Sequence, residues 1–126
     1  MAAASAGDVR QSQLDALFAA IDAKDTSAFL DFLADDASFR FGSAPPAEGR
    51  EAIGQAVEGF FSTIAGLEHS LAWTLADGDT LVCEGDVTYT RHDGSTISLP
   101  FVDVFDMSGE KIKNYKIYMD IAPLYA

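Results

Sequence analysis

Positive charge is scarce in this sequence. Eight lysines and arginines stand against twenty aspartates and glutamates, for a formal net charge of −12. A field of that sign repels a phosphate backbone, so nucleic-acid binding is not expected. Acidity of this kind otherwise serves solubility. Cysteine is scarcer still. Cys83 stands alone, which excludes an internal disulfide and reads as a small core residue. Neither the two histidines nor the acidic residues fall at metal-ligand spacing, so no metal and no cofactor is implied. No apolar run reaches the roughly 18 residues that cross a membrane. The opening MAAASAGDVR lacks the basic-then-apolar order of a secretory signal. Together these absences lead to the expectation of a cytoplasmic protein with no membrane contact.

Apolar material for one core is present. The chain has 126 residues, 48% of them hydrophobic, with a mean hydropathy of +0.08. That suits a single folded domain over residues 8–126, preceded by a flexible arm over residues 1–7. Asp8 can cap a first helix, with Gln11 completing a weak capping box. Leu14, Leu17, Phe18 and Ile21 then recur at helical spacing. A second short helix starts at Asp25 or Thr26, with Phe29, Leu30 and Leu33 inward and Asp31, Asp35 and Asp36 outward. Residues 37–41 read as a short strand. Pro45 and Pro46 end it. After Gly49 comes the clearest helix, with Ile53, Val57, Phe60, Phe61 and Ile64 on one stripe.

At Gly66 the apolar period changes from 3.6 to 2. His69, Leu71, Trp73 and Leu75 share one face of a strand. After the turn Asp77-Gly78-Asp79, Cys83, Val87 and Tyr89 share one face of the next. Asp93-Gly94 signals a hairpin. Ser95 to Tyr125 then reads as a long hairpin turning at Met107-Ser108-Gly109. Leu99, Phe101, Asp103 and Phe105 lie on one face of its first arm, and Pro100, Val102 and Val104 on the other. Its second arm alternates Lys113, Tyr115, Ile117 and Met119 against Asn114, Lys116, Tyr118 and Asp120. Helices first and long antiparallel strands after indicate an α+β fold. A curved sheet wrapped over three N-terminal helices leaves a cone-shaped hollow.

One residue breaks the pattern. Asp103 sits among phenyl rings on the face expected to be buried. A carboxylate there is costly unless it is hydrogen-bonded or keeps its proton. Three roles are open to it: proton transfer, hydrogen bonding to a ligand, or a structural carboxyl satisfied by Tyr115, Tyr89 or a backbone amide. His69 is either a core or rim residue or a general acid. Trp73 is pocket wall or core.

Two stretches carry a family resemblance. They are residues 39–53 (FRFGSAPPAEGREAI), whose Gly-Arg-Glu-Ala-Ile leads into the third helix, and residues 112–124 (IKNYKIYMDIAPL). The chain from Asp8 to Leu124 resembles the nuclear transport factor 2-like superfamily, also called cystatin-like, and within it the SnoaL-like domains. The resemblance implies the conical fold and a small-molecule pocket. It spans ketosteroid isomerases, polyketide cyclases, scytalone dehydratase, limonene epoxide hydrolase and members that only bind or dimerise, so fold alone does not give the chemistry. The epoxide hydrolases activate a water with five polar groups. Four of those positions here are Phe39, Phe41, Phe101 and Ile117, and only Asp103 keeps its type. That argues against epoxide hydrolysis.

The reading that follows is an isomerase, cyclase or dehydratase acting on an apolar carbonyl compound. Asp103 would be the base and Tyr115 the hydrogen-bond donor. Phe39, Phe41, His69, Trp73, Tyr89, Phe101, Ile117 and Met119 would line the ligand site. The alternative is a ligand-binding or dimerising protein without chemistry. Family members commonly dimerise through the outer sheet face, which here carries Val102, Val104 and Tyr118, so a homodimer is expected.

Overall fold

A computed structural model describes residues 6–126. The arm expected over residues 1–7 lies, but for its last two residues, outside that range. Helix α1 spans Ala6–Asp22, so Asp8 is inside the helix and does not cap it. Helix α2 is Thr26–Leu30, capped by Asp25, whose Oδ1 accepts the Ala28 N–H at 3.1 Å. Helix α3 is Arg50–Ser62. The strands are β1 (Leu33–Phe41), β2 (Ala47–Glu48), β3 (Gly66–Asp77), β4 (Thr80–Thr90), β5 (Thr96–Ser108) and β6 (Lys111–Tyr118). A 3₁₀ turn, Ala122–Tyr125, closes the chain.

The six strands form one sheet in the order β2-β1-β6-β5-β4-β3. The three hairpin pairings from β3 to β6 are antiparallel, and β1 joins β6 in parallel. Two expectations shift at the start. Leu33, Asp35 and Asp36 belong to β1 rather than to α2, because Leu33 pairs with Ile112 and its carbonyl accepts the Arg50 Nε–H at 3.2 Å. The two-residue strand β2, just after the prolines, escapes any periodicity argument. The last hairpin turns at Gly109 and Glu110, since β5 continues through Ser108.

Two bulges reset the side-chain parity. On β3, Leu71 pairs with Gly85 and Trp73 with Glu84, which leaves Ala72 as an extra residue. Beyond it, Trp73 and Leu75 turn outward and are 45% and 59% exposed. Gly85 makes room for this bulge. A β-carbon there would lie 2.1 Å from the Ser70 carbonyl oxygen and 2.9 Å from the Leu71 Cα. On β6, Asp106 pairs with Asn114 but Met107 with Ile112, so Lys113 is the extra residue. It faces outward, 3.3 Å from Asp36, and Ile112 takes the buried place.

The core lies between the helices and the inner sheet face. Leu14, Leu17, Phe18 and Ile21 of α1, Phe29 of α2 and Ile53, Val57 and Phe61 of α3 are all buried. They meet alternate residues of the sheet, among them Cys83, Val87, Leu99, Phe101, Phe105 and Tyr115. Gly54 brings α3 against the Leu30 side chain, which lies 3.1 Å from where its β-carbon would be. At the other end, Arg91 donates to the carbonyls of Leu124 at 3.0 Å and Pro123 at 3.1 Å, and fixes the closing turn.

Candidate functional site

The helices do not fill the hollow. A cavity of about 160 Å³ remains between α3, the end of α1 and the inner sheet face. An apolar void of about 150 Å³ is enough to admit a benzene-sized molecule. Each strand contributes alternate residues. Phe39 and Phe41 come from β1, and Tyr115 and Ile117 stand beside them on β6 with Met119 just beyond. Phe101 and Asp103 come from β5, Val87 and Tyr89 from β4, and Leu67 and His69 from β3. Phe60, Phe61 and Val57 of α3, with Ile21 and Phe29, close the helical side.

Asp103 is the polar exception in that lining. It is 2% exposed, and its Oδ1 has no hydrogen-bond partner among the described residues. Burial holds its carboxyl well above the usual carboxylate range, and the nearby Tyr115 hydroxyl only partly opposes this. Burial thus favours the neutral acid over the carboxylate. Tyr115 is itself buried, and desolvation and then Asp103 push its phenol upward. Tyr89 and Cys83 shift upward for the same two reasons, burial first. Cys83 stands directly across the β4–β5 ladder from Asp103. Asp103, Tyr115 and Tyr89, which border the cavity, and Cys83, which does not, are thus all favoured in their neutral forms.

Aromatic packing fixes Tyr115. Its ring lies 4.5 Å from that of Phe105 and 5.1 Å from that of Phe39, both edge to face. The opposite wall is polar in another way. His69 Nδ1 is 2.6 Å from Asp22 Oδ1, and the His69 backbone N–H donates to Asp22 Oδ2 at 2.9 Å. The His69 ring packs between Phe18 at 4.6 Å and Phe101 at 5.3 Å. Among the described residues, no group of three or more histidine, cysteine, aspartate or glutamate side chains could hold a metal ion.

Of the residues expected at the site, Asp103, Tyr115, Phe39, Phe41, His69, Tyr89, Phe101, Ile117 and Met119 all border the cavity. Trp73 does not. The Ala72 bulge turns it to the outer face. Gly85, alone in an otherwise regular strand, is the sequence signal for that bulge. Asp22 was missed altogether. It ends a helix 47 residues before His69, and no spacing rule links the two.

Comparison with known proteins adds the family. The SnoaL-like domain matches residues 14–115. An NTF2-like protein of unknown function from Burkholderia pseudomallei superposes with a TM-score of 0.81 at 16% identity, over 90% of this chain and 92% of that one. A hypothetical protein with a ketosteroid isomerase-like fold from Catenulispora acidiphila, in complex with trimethylamine, gives 0.77 at 18% identity, over 84% and 83%. An LEH-like epoxide hydrolase from M. tuberculosis gives 0.76 at 16% identity, over 90% and 84%. No curated protein matches the sequence.

Proposed function

The chain belongs to the SnoaL-like domain family, and on that premise we propose that it is a cofactor-independent enzyme acting on a compact, apolar carbonyl compound. Proton transfer in the aromatic hollow would isomerise, cyclise or dehydrate that compound. One observation carries the reading: Asp103, which borders an apolar cavity, is a buried carboxyl whose Oδ1 has no hydrogen-bond partner among the described residues. A buried polar atom without a partner costs roughly 1–3 kcal/mol, and a ligand oxygen placed there removes that cost.

The protonated state sets the role. Burial favours the acid form of Asp103, and in this reading its first act is to donate a hydrogen bond to the substrate's carbonyl oxygen. As negative charge builds on that oxygen, the carboxyl proton moves toward it. Tyr115 steadies the carboxylate left behind. The apolar walls supply no cation, which suits a neutral substrate. Phe39, Phe41, Phe101 and Ile117 offer nothing to hold or deprotonate a water, so an epoxide-hydrolase reaction is not proposed for this chain despite its structural neighbour.

The test is a screen of small cyclic ketones and enones for turnover, repeated with Asp103→Asn. Loss of turnover by a factor of about 100 or more in a folded variant supports the reading. Full activity in Asp103→Asn refutes it.

A second reading rests on the outer sheet face. Trp73, Glu84, Val102 and Tyr118 form one row across β3 to β6, and Leu75, Val82, Val104 and Lys116 form the next. Trp73, Leu75 and Tyr118 are each about half exposed. We propose that this face joins two copies of the chain in a homodimer.

A further inference from the structure

We infer that charge fixes how two copies of this chain meet: Arg40 and Lys116, at one end of the outer sheet face, lie against Glu84 and Asp86 at the other end of a second copy's face. This rests on the homodimer reading given above and extends it to the residues that pair.

The single chain leaves an imbalance unresolved. Acidic residues outnumber basic ones by 20 to 8. Six of the eight cations are engaged within the chain. Arg10, Lys24, Arg50, Arg91 and Lys111 each donate to a backbone carbonyl, and Lys113 pairs with Asp36. Arg40 and Lys116 have no hydrogen-bond or ion-pair partner among the described residues. Both are exposed, and they stand directly opposite each other in the β1–β6 register. Like charges so placed on a sheet repel. In a chain with acid to spare, two adjacent cations without a carboxylate form a contact that lacks its other half.

The same face supplies that half. Across β5 from Lys116, Glu84 and Asp86 are exposed on β4 and have no partner among the described residues. Val102 and Tyr118 lie between the two ends, in one row with Glu84, and Tyr118 is 54% exposed. Two stacked faces related by a two-fold axis between them make an isologous contact. An axis passing over Val102 and Tyr118, crosswise to the line joining the two ends, lays the cationic end of each copy on the acidic end of the other. The apolar middle then meets itself. An axis along that line instead lays cations on cations and carboxylates on carboxylates, and is rejected. Each chain carries −12, so two copies repel at long range and the attraction must arise at the contact itself. Both cavities stay clear, because Phe39, Phe41, Tyr115 and Ile117 border the cavity from the inner face of the same two strands.

The test is a charge swap on the full chain, with the dimer dissociation constant read by sedimentation equilibrium. One variant carries Arg40→Glu and Lys116→Glu, a second carries Glu84→Lys and Asp86→Lys, and a third carries all four changes. The expected result is a dissociation constant at least about 100-fold above wild type for each double variant alone, since each then sets like charges against each other. A 1:1 mixture of the two double variants, and the four-fold variant by itself, should return to within about 10-fold of wild type. Native mass spectrometry should show that the dimer in the mixture holds one chain of each kind. A wild-type dimer that neither double variant weakens overturns the pairing and leaves the homodimer reading intact. Double variants that dissociate and do not recover on mixing overturn the pairing as well. A monomeric wild type overturns both. Should a double variant fail to fold, the four-fold variant decides: it dimerises as the wild type does, or the inference fails.

Discussion

Gly85 lies so close to the Ser70 carbonyl of the neighbouring strand that no side chain fits between them. A β-carbon on Gly85 would lie 2.1 Å from the Ser70 carbonyl oxygen. That oxygen is backbone and cannot rotate away. Gly85→Ala should therefore force the bulge open and destabilise the protein by about 3 kcal/mol or more, at the severe end for a single substitution. Chemical denaturation of the variant measures this. A change below about 1 kcal/mol would mean that the ladder can slide at little cost.

Asp103 should make stability depend on pH. Its folded-state pKa is raised above that of the unfolded chain, near 3.9. The native state binds the extra proton, so its advantage is complete below about pH 4 and is lost as pH rises toward the native pKa. Asp103→Asn removes this dependence. Its melting temperature should gain on the wild type as pH climbs from about 4 to 8, by roughly 3–5 °C for each kcal/mol at this chain length. Asp103→Leu should do the same and also bind no carbonyl ligand. Parallel wild-type and variant curves across that range would show that Asp103 ionises in the folded protein as it does in water.

The Cys83 thiol should be inert in the folded protein. It is fully buried, and desolvation and the neighbouring Asp103 raise its pKa. Thiol reagents at pH 8 should label nothing until denaturant is added, and then one equivalent per chain. Labelling without denaturant would show that β4 and β5 separate readily.

The outer face gives a prediction about association. Replacing Leu75 and Val104, which stand in one row of that patch, with glutamate should convert a dimer to a monomer without loss of helix or strand signal. Light scattering coupled to gel filtration reads the mass. A wild-type mass of one chain would remove the dimer.

Legibility in the sequence followed regularity. The helical stripes and the alternation of β4 and β5 placed Phe101, Asp103, Tyr89 and the α3 phenylalanines without any knowledge of the fold. The alternation rule failed where the ladder did. One extra residue at Ala72 carried Trp73 from the expected pocket to the outside, and another at Lys113 exchanged that lysine for Ile112. A bulge depends on what the neighbouring strand permits, and that neighbour is identified only once the sheet exists. Gly85 hinted at the first. Asp22 was illegible for a related reason, since its link to His69 arises from the crossing of α1 over β3. Family motifs brought Phe39 and Phe41 to the site ahead of the structure. Composition alone would have left them in the core.

The parallel pairing of β1 with β6 has a bearing on how the chain reaches its folded state. Leu33 meets Ile112 across 79 positions of sequence, and every strand between them is spliced into the sheet by local hairpins. The hairpins from β3 to β5 can form as soon as they are made. The wall that unites Phe39 with Tyr115 and Phe41 with Ile117 must wait for the final strand to leave the ribosome. Until then β1 and β5 each present an open edge, and the ordering entropy of the long connection is unrecovered. Closing this sheet is consequently a late, slow event, and a nascent chain stalled before Lys111 exposes both edges to other chains.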